Sequence, residues 1–458
     1  MLKWIEERLG VEHWARKGLR KVFPDHWSFL LGEIALFCFI VLLATGTYLT
    51  LFYRPDAAPV IYDGPYEPLR GQEMSAAYES VLRISYEVKA GLVMRQIHHW
   101  AALVFVASIV AHMVRVFFTG AFRKPREINW MVGVTLLVLA IGMGFTGYSL
   151  PDDLLSGTGL RIAYSALISI PFIGPYLGFL VFGGEFPTEG IISRLFVLHV
   201  MLLPAIVIGL IGLHLGILWR QKHTQFAGKG RSESNVVGKA FWPQQLFKST
   251  GLMLLTGAVL ALLGGLVQIN AVWNYGPFDP SAVSAPSQPD WYVGWLEGAI
   301  RLWPPFEPTV FGVTIPSMFI PGVVIPGIGF TVMALWPFIE QRFTKDRAMH
   351  HLLDRPRDRP VRTAIGMAGI LYVTILTVAG GNDVLALTFK VPIEAMVWFL
   401  RIGLFVVPLL GGIVTYRLCR EMQSSGAHPL RRRRGVRLRR KPDGGFEEVS
   451  PDEARSGI

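Results

Sequence analysis

The chain reads GLVMRQIHHWAALVFVASIVAHMVRVFF from residue 91 to residue 118, and this stretch decides the fold. A helix needs about 20 apolar residues to cross a bilayer, so the stretch is long enough to do so. It nevertheless carries His98 and His112, fourteen positions apart. Ionisable groups inside a membrane span are costly and usually functional. The stretch therefore predicts a transmembrane helix with a polar site inside it.

The composition extends this prediction to the whole chain. Of 458 residues, 52% are apolar and 17% are charged, against about 25% charged in soluble proteins, which excludes an ordinary globular enzyme. Two cysteines, Cys38 and Cys419, are too few for a disulfide scaffold or a zinc site. Uncharged runs predict eight spans, labelled A to H: 28–52, 91–118, 130–150, 195–218, 249–270, 314–338, 362–380 and 393–416.

Charge predicts the orientation of these spans. On the side of the N-terminus, called inner here, alternating spans place 34 Lys and Arg with 16 Asp and Glu; the outer side holds 9 and 16, with Glu33 and Arg401 inside spans. Basic loops mark the cytoplasm, so we expect both termini there, in the cell membrane. The arginine-rich run 431–441 fits a tail near anionic lipid rather than a nucleic-acid arm. The apolar stretch 162–183 is interpreted as surface helices over a pocket, because counting it as a span would invert the charge asymmetry.

Two spans carry histidine pairs. Span B has His98 and His112, and span D has His199 and His214, fifteen positions apart. Each pair falls on one helix face, about 21–22 Å apart in depth. B and D run in the same direction, which matches the pairs in depth as an outer and an inner level. Such pairs suit two b-type haems with bis-histidine iron; four hydrogen-bonded core histidines are the alternative.

Other residues repeat the spacing and the depth of these histidines. Spans A and C carry glycines at the same fourteen-residue interval, where a missing side chain lets a backbone approach a porphyrin; they are Gly32, Gly46, Gly133 and Gly147. Arg95 and Arg115 lie near the outer and inner histidines, in reach of haem propionates, with interfacial snorkelling as the alternative. His99 points about 100° away from the ligand face and is not assigned as a ligand.

The outer loop between E and F reads PDWY from residue 289 to residue 292. Oxidation of a hydroquinone releases two protons, so Asp290 is a candidate proton acceptor and Tyr292 a candidate orienting group. An interfacial aromatic belt is the alternative. At the inner side, polar groups near the predicted inner haem are candidates for a quinone site, although each is equally plausible as a loop residue: Asp25, His26, Arg220 and His223.

Together these features resemble cytochrome b, the membrane subunit of quinol:cytochrome c reductases, over about residues 1–420. The motifs FPDHWSF (23–29), RQIHHWAA (95–102) and SLPDDLLSGTG (149–159) are similar to the actinobacterial, menaquinol-using branch. The resemblance implies that one electron passes from quinol to a Rieske iron–sulfur protein and cytochrome c. The other crosses two haems to an inner quinone. It also implies a homodimer, and leaves open a supercomplex with a cytochrome c oxidase.

In terms of this resemblance, His98 and His199 hold the low-potential haem, and the inner pair holds the high-potential haem. The chain departs from the family pattern in three ways. Asp290 replaces the usual glutamate. Leu30 stands where split relatives attach a haem through cysteine, so the haems are expected to be non-covalent and Cys38 to be a core residue. The four N-terminal and four C-terminal spans are fused in one chain, whereas in the split form they are separate. The fifteen-residue histidine interval in span D nevertheless resembles that of the split form.

The predicted fold is therefore an all-α integral membrane protein with four regions. They are an amphipathic cytoplasmic surface segment (1–27), a di-haem four-helix bundle of spans A to D (28–245), a C-terminal domain of spans E to H (246–416) and a basic tail (417–458). A di-haem transmembrane reductase would need a flavin and nicotinamide domain, and only about 42 residues follow span H. A haem-bearing anchor of a dehydrogenase would not need spans E to H. A transporter would lack b-type absorbance.

Overall fold

The computed structural model describes residues 2–10, 16, 18–282, 288–426, 437–440 and 446–449. Within these ranges, eight helices are long and apolar enough to cross a membrane. Spans A to H are Trp27–Thr50, Gly91–Phe118, Glu127–Tyr148, Ile191–Gln221, Phe241–Leu266, Ile320–Thr344, Pro360–Gly380 and Ile393–Ser424. The predicted all-α membrane class is therefore confirmed.

Several span boundaries differ from their predicted positions. Span F begins at Ile320 rather than at residue 314, because Thr309–Val310 and Val313–Thr314 pair as an antiparallel hairpin just before it. Spans D and H continue past their predicted inner ends. Hydropathy marks where apolar residues stop, whereas the helical hydrogen-bond ladder continues through the polar residues at its end.

Spans A to D pack on one another in chain order, spans E and F pack against them, and spans G and H form a pair. In the N-terminal half A packs on B, B on C and C on D, while E packs against A and B, and F packs against C. Spans G and H pack on each other, and the short helix Trp291–Leu302 packs against G. The buried core between the first three spans is apolar and includes Phe39, Leu42, Phe105, Ile109, Val134 and Leu137.

Shorter elements connect the spans. The outer connection from C to D contains the helices Leu154–Ile168 and Gly174–Phe182, where surface helices are predicted. Further helices are Leu2–Leu9, Ala76–Tyr86 and Asn382–Phe389. Two-residue or longer strands pair as Val22–Phe23 with Lys239–Ala240, Pro59–Ile61 with Glu73–Ser75, Gln225–Phe226 with Leu352–Leu353, and Arg437–Arg440 with Phe446–Val449.

Buried ion pairs join the inner ends of the bundle. The side chain of Arg362, 4% exposed, pairs with Glu340 of span F and lies 2.8 Å from Asp354. Arg123, in the loop between B and C, lies 3.2 Å from the same aspartate. Because an unpaired charge is costly at this depth, the cluster holds the B–C loop, span F and span G together.

Two predicted regions are only partly described. Helix Leu2–Leu9 covers the beginning of the predicted surface segment, and residues 11–15 lie outside the described residues. The arginine run 431–434 lies outside them as well. The surface segment and the basic tail therefore stay predictions. Cys38 is fully buried in the core, as expected.

Candidate functional site

The structure brings the histidines of spans B and D together in two pairs. The ring centroids of His98 and His199 are 6.2 Å apart, and those of His112 and His214 are 6.5 Å apart. Imidazole nitrogens bind a transition metal such as zinc at about 2.0–2.1 Å. Each gap therefore has room for one metal ion between two rings, so the residues present fit the axial ligands of a haem iron.

A π turn in span D reconciles the two unequal histidine intervals. It covers Leu198–Leu202 and contains His199. Such a turn inserts one extra residue into a helix. The interval from His199 to His214 is one residue longer than that from His98 to His112, and the π turn absorbs the difference. Both spans can then present their histidines at matching depths.

Each predicted glycine faces one of these rings. The approach is close enough that an added Cβ would contact the imidazole, and at the tightest position it would clash. The four pairs, with the distance from an ideal Cβ to the ring Cε1 atom, are Gly46–His98 at 3.1 Å, Gly147–His199 at 2.4 Å, Gly32–His112 at 3.3 Å and Gly133–His214 at 3.7 Å. At Gly147 the close approach requires the missing side chain, at Gly46 and Gly32 an added Cβ would be tight, and at Gly133 it would make an ordinary contact.

Two threonines orient the outer rings, and the sequence analysis missed them. Thr45 Oγ1 lies 2.9 Å from Nδ1 of His98, and Thr146 Oγ1 lies 3.2 Å from Nδ1 of His199. Nδ1 of His199 also lies 3.0 Å from the Met143 carbonyl oxygen. Each hydroxyl donates to a carbonyl of its own helix, so it accepts from the imidazole. That bond puts the proton on Nδ1 and leaves Nε2 free as a ligand. Both threonines directly precede an outer glycine, a repeated Thr-Gly pair that could have revealed them.

The two predicted arginines keep unpaired donors. Arg95 donates from Nη1 to the Asn270 carbonyl at 3.0 Å, and the guanidinium of Arg115 lies 4.2 Å from the Phe29 ring centroid. In both, Nε and Nη2 are buried with no hydrogen-bond partner among the described residues. Buried unpaired donors are costly. The carboxylates of haem propionates are of the right charge and geometry to satisfy them.

At the inner end lies a cavity of about 300 Å³ that is lined by the inner histidine pair. His26 and His223 also line it. Asp25 does not line the cavity, but its carboxylate lies 2.7 Å from the ammonium group of Lys248, which does line it. Arg220 is exposed and is not among the lining residues. The structure therefore brings two of the four inner candidates to the cavity, and a third within one contact of it.

The outer loop places Asp290 and Tyr292 together. Asp290 precedes the helix Trp291–Leu302 but makes no side-chain capping bond. Instead, one of its oxygens accepts from the Tyr292 hydroxyl at 2.9 Å, and His99 Nε2 lies 2.9 Å and 3.1 Å from the two oxygens. Burial, and then the charge of Asp290, raise the pKa of Tyr292 well above its usual value. The phenol therefore remains a donor at neutral pH.

The contact between His99 and Asp290 was not predicted from the sequence. Its position next to His98 turns it by about 100°, away from the ligand pair and toward the outer loop. Span C comes close as well, since a Cβ at Gly144 would lie 2.3 Å from the Tyr292 hydroxyl. The adjacent histidines His98 and His99 lie on different faces of span B, and this was the sequence feature that could have indicated a second polar contact.

The connection after span C carries two buried carboxyls. Asp153 accepts from the backbone N–H of Ser156 at 2.8 Å and caps the helix Leu154–Ile168. Burial raises the pKa values of Asp152 and Asp153 to about 6. This connection therefore contains titratable groups beyond Asp290, although the sequence analysis gave them no role.

Eight apolar helices and two facing histidine pairs define a multi-pass membrane protein of the cytochrome type. A family profile described as Cytochrome b(N-terminal)/b6/petB matches residues 103–277. The cytochrome bc1 complex cytochrome b subunit of Mycobacterium tuberculosis is 52% identical over 449 residues, 97% of this chain and 81% of that protein. That of Corynebacterium diphtheriae is 50% identical over 447 residues, 97% of this chain and 82% of its own length.

One solved structure, described as a hyperthermophilic respiratory Complex III, aligns with a TM-score of 0.65 over 91% of this chain and 100% of its own. At 22% identity this likeness shows the fold. On the sequence relationships above, the chain belongs to the family of cytochrome b subunits of the cytochrome bc1 complex.

Proposed function

We propose that this chain is the cytochrome b of a quinol:cytochrome c oxidoreductase in the cell membrane, with both termini in the cytoplasm. It oxidises quinol at the outer level and reduces quinone at the part of the inner cavity lined by His26, His223 and Lys248, while the inner haem would occupy the part between His112 and His214. The observation that carries this proposal is the presence of two facing histidine pairs in one bundle, with ring centroids 6.2 Å apart within the outer pair and 6.5 Å apart within the inner pair. Asp290 is hydrogen-bonded at the outer end of the same bundle.

The proposed ligands of the outer, low-potential haem are His98 and His199, and those of the inner, high-potential haem are His112 and His214. When bound, the two haems supply one-electron carriers between the faces of the membrane. Thr45 and Thr146 hold the outer rings in the tautomer that ligation needs. The glycines facing the rings would leave room for the macrocycles, and the unpaired donors of Arg95 and Arg115 would hold the propionates.

At the outer site, quinol binds beside Asp290 and Tyr292. The carboxylate accepts a proton as the ring is oxidised. The Tyr292 hydroxyl, whose own proton is donated to Asp290, accepts a hydrogen bond from the quinol and so orients it. His99 positions the carboxylate from span B. One electron leaves for a Rieske iron–sulfur protein and then a cytochrome c subunit. The other crosses the bundle, so protons released outside and taken up inside add to the proton gradient.

The remaining assignments follow the actinobacterial relatives. The substrate is proposed to be menaquinol, and the assembly a homodimer in lipid that includes the Rieske and cytochrome c subunits. Association with a cytochrome c oxidase is a further proposal. Mild-detergent purification, followed by identification of the subunits and of the extracted quinone, tests all of these assignments together.

Absorbance spectra of the purified complex test the ligands. We expect His98→Ala and His112→Ala each to lose the dithionite-reduced band of one b haem. The control His350→Ala, whose ring bonds to Asp346 at 3.0 Å on the inner surface, should retain both bands. Retention of both haems in the two ligand variants would contradict the assignment.

Turnover tests the outer site separately. Asp290→Ala is expected to slow quinol oxidation about 100-fold, within the range for loss of a general base, while both haem bands remain. Turnover equal to that of the unmodified complex at saturating quinol would refute Asp290 as the proton acceptor.

A further inference from the structure

The inner cavity contains a carboxyl group to which neither the sequence motifs nor the proposed function assigns a role. Glu33 lies in span A and lines the cavity together with Gln245 and Lys248 at the start of span E. Its neighbour Gly32 faces the inner ligand His112, with an added Cβ 3.3 Å from the ring. The carboxyl group therefore lies on the wall of a cavity that the inner histidine pair also lines.

The two oxygens of Glu33 have different surroundings. Oε1 accepts from Gln245 Nε2 at 3.1 Å, and the same amide nitrogen lies 3.2 Å from Ser249 Oγ. Oε2 is buried and has no hydrogen-bond partner among the described residues. A buried carboxyl oxygen without a partner is costly. One oxygen is thus fixed by span E, and the other is available to a ligand in the cavity.

Asp25, a second acidic group close to this cavity, is already paired. Asp25 lies 2.7 Å from Lys248 and 2.9 Å from Lys239. Hydrogen bonds from these two lysines lower the pKa of Asp25 to about 2. Asp25 is therefore an ionised partner of two lysines, with no proton to donate near neutral pH. Glu33 has no ion-pair partner among the described residues.

The two imidazoles that line the cavity besides the proposed haem ligands are poor donors as well. Burial, followed by the charge of Arg115, lowers the pKa of His26. Burial, followed by the charge of Lys21, lowers the pKa of His223 to about 4. Both rings are therefore neutral near pH 7. Among the acids and imidazoles considered for this cavity, Glu33 is the group with a free oxygen and no competing ion pair.

We propose that Glu33 donates a proton to the quinone that is reduced in the inner cavity, an inference that rests on the inner quinone site of the proposed function. Reduction of a quinone to a quinol takes two electrons and two protons. A haem held between His112 and His214 would supply the electrons. The O–H bond of Glu33 breaks and its proton forms an O–H bond on one quinone oxygen. A proton taken up from the inner aqueous phase protonates the other oxygen, and a second proton from that phase restores the Glu33 carboxyl.

The test uses the whole purified complex with its outer site blocked by an inhibitor, so that added menaquinol reduces the inner haem only through the inner cavity. In this reverse direction Glu33 accepts the proton that it donates in the forward one. Glu33→Gln keeps the shape and the acceptor for Gln245 but cannot carry the proton. We expect the rate of haem reduction to fall about 100-fold, within the range for general acid–base catalysis. Glu33→Asp retains a carboxyl group and should restore most of that rate.

The matched control is Glu127→Gln, at the inner end of span C, which should leave the rate unchanged. Equal rates in Glu33→Gln and the unmodified complex overturn the proposal, and so does a Glu33→Asp variant as slow as Glu33→Gln, because that result indicates a structural role. The b-haem spectrum, measured on the same samples, separates this failure from failure of the proposed function. Two intact haems with an unaltered rate refute the role of Glu33 alone.

If Glu33→Gln does not assemble, the Gln245→Leu variant tests the proposal instead. It removes the bond that holds Oε1 and leaves the carboxyl group in place. A several-fold slower reduction of the inner haem supports the proposal, and an unchanged rate overturns it.

Discussion

His99 Nε2 lies 2.9 Å from Oδ1 of Asp290, although the two residues are 191 positions apart in the chain. The bond ties the outer loop to span B one residue after the candidate ligand His98. The proposed proton acceptor and the proposed outer haem ligand are therefore held by the same helix. Displacement of either one should affect the other.

We predict that His99→Ala slows quinol oxidation about tenfold without loss of haem. The carboxylate of Asp290 would keep only the bond from Tyr292, and a misplaced catalytic group can cost up to about 100-fold in rate. Steady-state turnover and the reduced spectrum of the same complex measure the two effects. His99→Gln, which retains a donor on the side chain, should recover part of the rate. Full activity in His99→Ala would show that Tyr292 alone positions Asp290.

Gly147→Ala is expected to lower the haem content of the outer site, whereas Gly133→Ala should be tolerated. The added methyl group would lie 2.4 Å from Cε1 of His199 in the first variant and 3.7 Å from Cε1 of His214 in the second. The first distance is a clash, and the second is an ordinary contact. The ratio of haem to protein, measured in both variants, checks the prediction. Equal haem contents would contradict it.

We predict that Thr45→Val raises the reduction potential of the outer haem by on the order of 20–60 mV, the equivalent of one hydrogen bond. Thr45 accepts from Nδ1 of His98, which makes the ring a stronger donor to oxidised iron. Redox titration of the b bands measures the shift. Thr47→Val is the control, because the Thr47 hydroxyl donates to the Leu43 carbonyl of its own helix at 2.7 Å. A similar shift in both variants would point to a general change in span A.

Asp153→Asn should flatten the dependence of thermal stability on pH between about 4 and 6. Burial raises the pKa of Asp153 from 3.8 in an exposed chain to about 6 in the fold. Folding therefore favours the protonated form, and the stability contribution of this group decreases as pH rises through that window. Asparagine keeps the acceptor for Ser156 but does not titrate.

The melting temperature of Asp153→Asn relative to the unmodified complex should consequently be higher at pH 7 than at pH 4. Asp279→Asn is the control, since that carboxyl group is exposed and its pKa is lowered by Ser281. A relative melting temperature that does not change with pH would contradict the prediction for Asp153.

The spans and the histidine spacing were predictable because both are local properties. A span needs only about 20 consecutive apolar residues. The faces of His98 and His112 follow from the fixed rotation of a helix. The glycines at the same interval were visible for the same reason. Even so, the start of span F was misplaced, because the sequence pattern did not reveal the hairpin that precedes it.

The pairs that complete the candidate sites depend on how the helices are rotated and packed. His99 meets Asp290 across 191 positions, and Glu33 meets Gln245 across 212. No periodicity links such residues, since each contact requires two helices to turn particular faces toward each other. The sequence by itself determined the eight spans and the matched levels of the histidines. Only the tertiary structure decided which carboxyl groups stand beside those levels, because that choice depends on side-chain packing between distant segments.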